Sequence, residues 1–237
     1  MSRARAIVAL DVSGAREAAA LVERLGEACD FVKVGSELFT AAGPQVVSAM
    51  RGGDGARDRD VFLDLKFHDI PNTVRSAAKR AAALGARLIT VHAAGGRTMM
   101  EAAVEGAGEH CGVFAVTVLT SLDATALGEA WGREVRDVEG EVLRLAELAT
   151  TAGVRGIVCS GVEAAAVRAR HGSALEILVP GVRFAGSGAH DQKRVVTPGG
   201  AASAGATYVV VGRTVTEDAD PRGALERVRA ELLASPS

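Results

Sequence analysis

Asp64, Lys66 and Asp69 stand within one decapeptide, Asp64-Leu65-Lys66-Phe67-His68-Asp69-Ile70-Pro71-Asn72-Thr73. A carboxylate and an ammonium two residues apart can move a proton or stabilise developing charge if they share a face. In a strand they do. The apolar run Val61-Phe62-Leu63 before them reads as a buried strand. Phe62, Asp64 and Lys66 then point one way, and Val61, Leu63 and Leu65 the other. An unpaired buried charge costs several kcal/mol or is neutralised, so charges placed here are paired, hydrated or functional. Asp69 falls just past the strand end. Pro71 suits the first turn of a helix, where no backbone N–H is needed.

The chain carries 27 Lys and Arg residues, yet only Lys33, Lys66, Lys79 and Lys193 are lysines. Two of them, Lys33 and Lys66, lie inside apolar runs. Lysine differs from arginine in a pKa that burial and neighbours can move, which suits proton transfer. Partly buried ion pairs, Asp11 with Lys33 and Asp64 with Lys66, are the plainer reading. Asp, Lys, Asp and Lys on three neighbouring strands at one rim favour a functional site.

The elements that must position these groups alternate regularly. Strands are predicted at Ala6–Asp11, Phe31–Gly35, Val61–Lys66, Leu88–Ala93, Val113–Ser121, Gly156–Ser160, Glu176–Gly181 and Tyr208–Gly212. Helices fit at Ala15–Ala28, Ala41–Arg51, Pro71–Leu84, Arg97–Gly108, Val138–Thr151, Glu163–His171, Gly199–Ala204 and Pro221–Leu233. Eight βα units in about this length predict an α/β protein, a single-domain (β/α)8 TIM barrel over residues 1–237. A doubly wound open sheet is the alternative, and the first strand is followed by Asp11-Val12-Ser13-Gly14 rather than a glycine-rich dinucleotide turn. Gly52–Asp60 reads as a solvated loop and Asp123–Arg136, with Trp131, as an insertion. Gly181–Lys193 has the length and glycine content of a functional or mobile loop.

A TIM barrel builds its active site at the C-terminal strand ends. Those ends present Asp11, Lys33, Asp64, Lys66, His92, Thr120, Ser121, Ser160, Arg183 and Arg213; the opposite ends offer no comparable set. The last strand runs into Gly212-Arg213, where backbone and guanidinium can hold phosphate oxygens. Composition excludes other classes. A net charge of −2 gives no footprint for duplex nucleic acid, and 3% aromatic content leaves few stacking surfaces for single strands. Cys29, Cys111 and Cys159 lack metal-ligand spacing and read as reduced thiols. No run reaches membrane-span length, and no signal peptide is expected, so a cytoplasmic protein without membrane or nucleic-acid partners is the expectation.

Together, Asp64–Thr73, Thr117-Val118-Leu119-Thr120-Ser121, Pro180-Gly181-Val182-Arg183, Asp191-Gln192 and Val211-Gly212-Arg213 resemble the orotidine 5′-phosphate decarboxylase family of the bacterial type over nearly the whole chain. The Asp-x-Lys-x-x-Asp core alone is shared with a wider superfamily. The resemblance implies decarboxylation of orotidine 5′-phosphate to uridine 5′-phosphate and carbon dioxide, without cofactor, in a homodimer with shared active sites. It implies that Asp11 and Lys33 bind ribose hydroxyls, that Asp64 faces the substrate carboxylate and that Lys66 protonates C6. Asp69 and Thr73 would reach into the partner's site. Thr120 or Ser121 would bond the pyrimidine, and Arg183, Gln192, Gly212 and Arg213 the phosphate. Magnesium-dependent sister enzymes carry a glutamate where this chain has Lys33, which argues against a metal. His68, His92 and Ser160 receive no role. A sugar-phosphate epimerase, isomerase or aldolase on the same barrel remains a second reading, with Lys66 as base or Schiff-base amine, and a catalytically dead nucleotide-binding protein a third.

Overall fold

Short β-branched and aliphatic runs separated by alanine-rich helices leave each strand apolar on both faces, the pattern of a parallel sheet covered by helices. The structure, a computed structural model, describes residues 4–52, 58–185 and 196–234. Its strands are β1 (Arg5–Ala9), β2 (Phe31–Gly35), β3 (Asp60–Phe67), β4 (Leu88–His92), β5 (Gly112–Val116), β6 (Gly156–Val158), β7 (Glu176–Val179) and β8 (Tyr208–Val211). All pair in parallel in chain order, and β1 closes on β8 from Arg5↔Tyr208 to Val8↔Val211. That closure makes a (β/α)8 barrel and disposes of the open sheet.

Alternation along the strands divides the core in two. Ile7, Phe31, Phe62, Leu88, Phe114, Leu178 and Tyr208 fill the barrel interior. Tyr208 meets Phe31 and Phe114 edge-on, with ring centroids 5.8 and 5.9 Å away. Gly156 on β6 makes room for this packing: a Cβ there would stand 2.6 Å from the Phe114 ring and 2.4 Å from the Glu176 carbonyl. The outer faces, including Val32, Leu63, Ile89 and Val209, pack under the helices.

Several boundaries move from those expected. The predicted helix Ala41–Arg51 is two helices, Ser36–Ala42 and Gln45–Arg51, because Gly43 turns at φ 74° and Pro44 follows it. The predicted strand Val113–Ser121 ends at Val116. Beyond it, the backbone N–H and the hydroxyl of Thr117 both donate to the Val158 carbonyl, at 3.1 and 2.8 Å, and a turn closes from Leu122 N–H to Leu119 O at 3.0 Å. The Asp123–Arg136 insertion holds a helix, Ala124–Trp131, capped by the Asp123 carboxylate accepting from the Ala126 N–H at 3.0 Å. A further short helix, Arg213–Thr216, follows β8 directly.

The N-terminal end of the barrel corrects the expectation that it lacks a polar set. Arg5 pairs with Asp60 at 2.9 Å, Arg229 with Asp30 at 3.0 Å, and Arg155 makes a two-pronged pair with Glu176 at 2.9 and 3.0 Å. These charges close on one another in matched pairs. The sequence reading missed them because each pair joins residues distant in the chain. Partly exposed pairs of this kind contribute about 1 kcal/mol or less each. A residue set at this end of a TIM barrel serves stability rather than catalysis.

Candidate active site

The C-terminal mouth of the barrel opens into a cavity of about 890 Å³. Its floor is the upper interior layer, including Phe62, Val116, Val158, Leu178 and Val210, and its wall carries the polar residues. Asp11, Lys33, Asp64, Lys66, Thr120, Ser121, Arg183, Gly212 and Arg213 all line it. Nine of the twelve residues singled out from sequence therefore meet in one cavity.

The charges form a continuous row. Lys33 Nζ lies 2.9 Å from Asp11 Oδ1 and 3.8 Å from Asp64 Oδ2. Lys66 Nζ lies 2.9 Å from both Asp64 oxygens. Side-chain exposure rises outward from the centre, from 11% for Lys33 and 13% for Asp64 to 37% for Lys66 and 56% for Asp11. The innermost two are too buried to hold charge without partners, and the alternation of sign supplies them. Gly35, register partner of Asp64, leaves space for the Lys33 ammonium: a Cβ there would stand 2.8 Å from Nζ.

β3 is irregular where these charges leave it. Leu63 pairs with Ile89 and Phe67 with Val91, so four residues of β3 advance against two of β4. Lys66 absorbs the excess at φ 51°, the only positive φ outside glycine among the described residues. A non-glycine residue held there costs about 1–3 kcal/mol and persists only where its surroundings over-determine it. Bulges of this kind re-aim side chains beside active sites. Simple alternation predicted the faces of Val61 to Leu65 and contained no sign of the bulge.

Thr90 on β4, a residue sequence reasoning passed over, sits inside the bulge. It is fully buried, donates its hydroxyl to Asp64 Oδ1 at 2.9 Å and accepts from the Lys66 backbone N–H at 2.9 Å. The available signal was a lone hydroxyl in the apolar run Leu88-Ile89-Thr90-Val91. His92, two residues on, stands 5.5 Å from His68 between ring centroids. Burial above all, then His68 and Lys66, hold its imidazole below the usual value, against the pull of Asp64. Ser160 is buried outside the cavity in a capped turn, its N–H donating to Glu163 Oε2 at 3.0 Å and its Oγ accepting from the Val162 N–H at 3.3 Å.

Across the mouth, Arg183 follows β7 and is 6% exposed. Its Nη1 donates to Thr214 Oγ1 at 3.2 Å, while Nε is buried with no partner among the described residues. Gly212 and Arg213 begin the short helix after β8. β7 and β3 are four strands apart in an eight-stranded ring, so Arg183 faces the Asp64–Lys66 pair across the barrel, while Arg213 follows β8, the neighbour of β1. Thr120 and Ser121 enter from the loop beyond β5 rather than from a strand end. Asp69 and Thr73 stay outside the cavity. Both are exposed, and Asp69 Oδ1 accepts from the Ile70 N–H at 2.6 Å beside the 67% exposed Ile70 side chain. Gln192 and most of the Gly181–Lys193 loop, like residues 53–57 of the Gly52–Asp60 loop, lie outside the described residues.

Residues 4–228 match the family model described as "Orotidine 5′-phosphate decarboxylase / HUMPS family". An orotidine 5′-phosphate decarboxylase of Halorhodospira halophila is 47% identical over 234 residues, covering 98% of this chain and 97% of the relative. One from Anaeromyxobacter dehalogenans is 55% identical over 201 residues, covering 85% of this chain and 86% of the relative. Among solved structures, the orotidine 5′-phosphate decarboxylase of Lactobacillus acidophilus superimposes with a TM-score of 0.85 at 35% identity, covering 98% of this chain and all of the other.

Proposed function

The chain belongs to the orotidine 5′-phosphate decarboxylase / HUMPS family and is a decarboxylase of orotidine 5′-phosphate in pyrimidine biosynthesis; we propose that it works without a cofactor and that Lys66 delivers the proton to C6. The observation that carries this reading is the alternating row Asp11–Lys33–Asp64–Lys66 lining one cavity together with Arg183 and Arg213. A substrate phosphate held by the two arginines, against the first turn after β8, lies far from the reacting carbon. Asp11 and Lys33 suit ribose hydroxyls, and the loop residues Thr120 and Ser121 suit the pyrimidine edge.

The chemistry follows from the charges. The C6–carboxylate bond breaks, carbon dioxide leaves, and the bonding electron pair stays on C6. An ammonium at that carbon stabilises the pair electrostatically and then donates its proton, forming the C6–H bond and leaving Lys66 a neutral amine. Asp64 beside the departing carboxylate sets two negative charges together, which disfavours the bound substrate relative to the transition state. Its bonds to Lys66 and Thr90, with the Lys33 ammonium nearby, hold the Asp64 side chain in one orientation. Lys33 places an ammonium where a metal-dependent relative needs an acidic ligand, which supports activity without magnesium. The remote phosphate contacts provide binding energy that can hold the charges in register.

We further propose a cytoplasmic homodimer in which Asp69 and Thr73 complete the partner's cavity. Their exposure, the absence of a cation paired with Asp69 among the described residues, and the exposed Ile70 side chain between them support that reading. Gln192 is proposed as a phosphate ligand from its motif alone. No helix among the described residues is long and apolar enough to cross a membrane.

The test is turnover. Orotidine 5′-phosphate should lose absorbance with release of carbon dioxide, undiminished after exhaustive chelation, and pentulose phosphates should give no reaction. Lys66→Ala should remain folded and lose nearly all turnover. Epimerase or aldolase activity, or restoration of an EDTA-treated protein by magnesium, would refute the reading.

A further inference from the structure

Lys66 carries the proposed proton in the strained backbone of the one left-handed non-glycine residue among the described residues, and nothing in its own local sequence favours that conformation. A β-bulge leaves ladder groups unpaired, and the Lys66 N–H is such a group, part-buried beside a carboxylate. Thr90 answers both needs. A hydroxyl has one proton and two lone pairs. Asp64 as a carboxylate can only accept, and the Lys66 N–H can only donate, so the roles are unambiguous. The Thr90 proton goes to Asp64 Oδ1 and a Thr90 lone pair receives the Lys66 N–H, each at 2.9 Å. Asp64 then accepts from Lys66 Nζ at 2.9 Å, which closes a ring from the Lys66 backbone through Thr90 and Asp64 to the ammonium of Lys66 itself.

We propose that Thr90 is a positioning residue of this enzyme, whose single hydroxyl sets both the bulged backbone of Lys66 and the orientation of Asp64. It does not line the cavity and has no solvent exposure, so it touches neither substrate nor water. Its β-branch restricts χ1, and its methyl packs while the hydroxyl is aimed. Valine has nearly the same shape and neither hydrogen-bonding capacity. Without the hydroxyl, Asp64 keeps its ion pairs but can rotate, and the part-buried Lys66 N–H loses its partner. The ammonium then visits its working position only part of the time. Substrate binding draws on groups elsewhere in the cavity, so the defect falls on the chemical step. The inference rests on the proposed roles of Lys66 and Asp64.

The experiment measures kcat and KM for orotidine 5′-phosphate in the wild type, Lys66→Ala, Thr90→Val, Thr90→Ala and Thr90→Ser, with circular dichroism and thermal melts on each. A fall in kcat of about ten- to a hundredfold is expected for Thr90→Val and Thr90→Ala, with KM within about threefold, matching the loss of a buried partner to a charged and a backbone group. Thr90→Ser should restore kcat to within about threefold of the wild type, since it keeps both bonds. A merely packing role would give the opposite order, because serine loses the methyl that valine keeps. Wild-type kcat in Thr90→Val or Thr90→Ala overturns the inference, as does a change confined to KM or a serine variant as slow as valine. Should neither hydroxyl-free protein fold, Thr90 is a folding residue and the inference is equally overturned. An active Lys66→Ala variant, or a wild type inert toward orotidine 5′-phosphate, instead sinks the reading on which the inference stands, whatever the Thr90 variants do.

Discussion

Shared active sites make a numerical claim that two inactive proteins can test. Asp69 lies outside its own cavity, two residues before the start of the Pro71–Ala83 helix, with its carboxylate at the protein surface. Lys66 lines the cavity of its own chain. If Asp69 serves the neighbour, Lys66→Ala and Asp69→Ala each inactivate both sites of their own homodimer. In a mixed dimer, one site takes Lys66 from the Asp69→Ala chain and Asp69 from the Lys66→Ala chain and is whole, while the other carries both defects. Equal mixing with free exchange makes about half the dimers mixed, so about a quarter of all sites recover, by counting on a two-fold axis. The assay is turnover of orotidine 5′-phosphate at saturating substrate after exchange under mild denaturant, with hybrid formation followed by native mass spectrometry. Recovery should scale with the product of the two mole fractions and peak at equal mixing. If hybrids form and turnover stays at the level of the separate variants, Asp69 does not act across the interface.

Gly35→Ala should keep the fold and lower turnover, because the new methyl meets the movable end of Lys33 at 2.8 Å rather than backbone; a melt and a kcat measurement separate the two effects. Gly156→Ala should do the reverse and damage the fold, since its methyl meets the Glu176 carbonyl at 2.4 Å and the Phe114 ring at 2.6 Å; overpacking of about 1–3 kcal/mol should lower Tm by several degrees. Burial pushes the Cys29 and Cys111 thiols up to about 11 from 9.0, so both should resist a thiol reagent until the protein is denatured. The unfolded chain ionises these thiols first, so their contribution to stability is complete below pH 9.0 and is lost as pH rises toward 11; alkaline melts of a Cys29→Ala, Cys111→Ala protein should decline less steeply. His92 is held below the ordinary imidazole value by burial first, so the unfolded chain takes up its proton first and stability should fall as pH drops through the ordinary histidine range; His92→Gln should flatten that fall in denaturant titrations.

The fold was legible because periodicity is a local property. Phe31–Gly35 and Val138–Thr151 stand in the structure with the boundaries that their apolar patterns predict. The rim was legible because a parallel barrel turns chain order into spatial order: Asp11 follows β1, Lys33 lies on β2, and Asp64 and Lys66 lie on β3, so they become neighbours. Local pattern fails where a contact between distant residues decides. Val113–Ser121 reads as one strand, yet the Val158 carbonyl takes both donors of Thr117 and ends it. The ion pairs beneath the barrel join Arg155 to Glu176 and Arg229 to Asp30, separations across which no spacing rule operates.

The same division runs through the active site itself. The types of its charges are written in β3, but their geometry depends on β4. Asp64 and Lys66 two residues apart make an ion pair available to any strand, and most such pairs are only ion pairs. What distinguishes this one is that the backbone beneath it is forced out of the strand conformation, at φ 51°, and tied there. Relaxing β3 to a regular ladder would remove the strain and also release the Lys66 N–H from Thr90, so strain and aim are one feature. A site of this kind is preorganised by its supporting residues. Its catalytic groups are therefore legible from one strand, and its working geometry only from two.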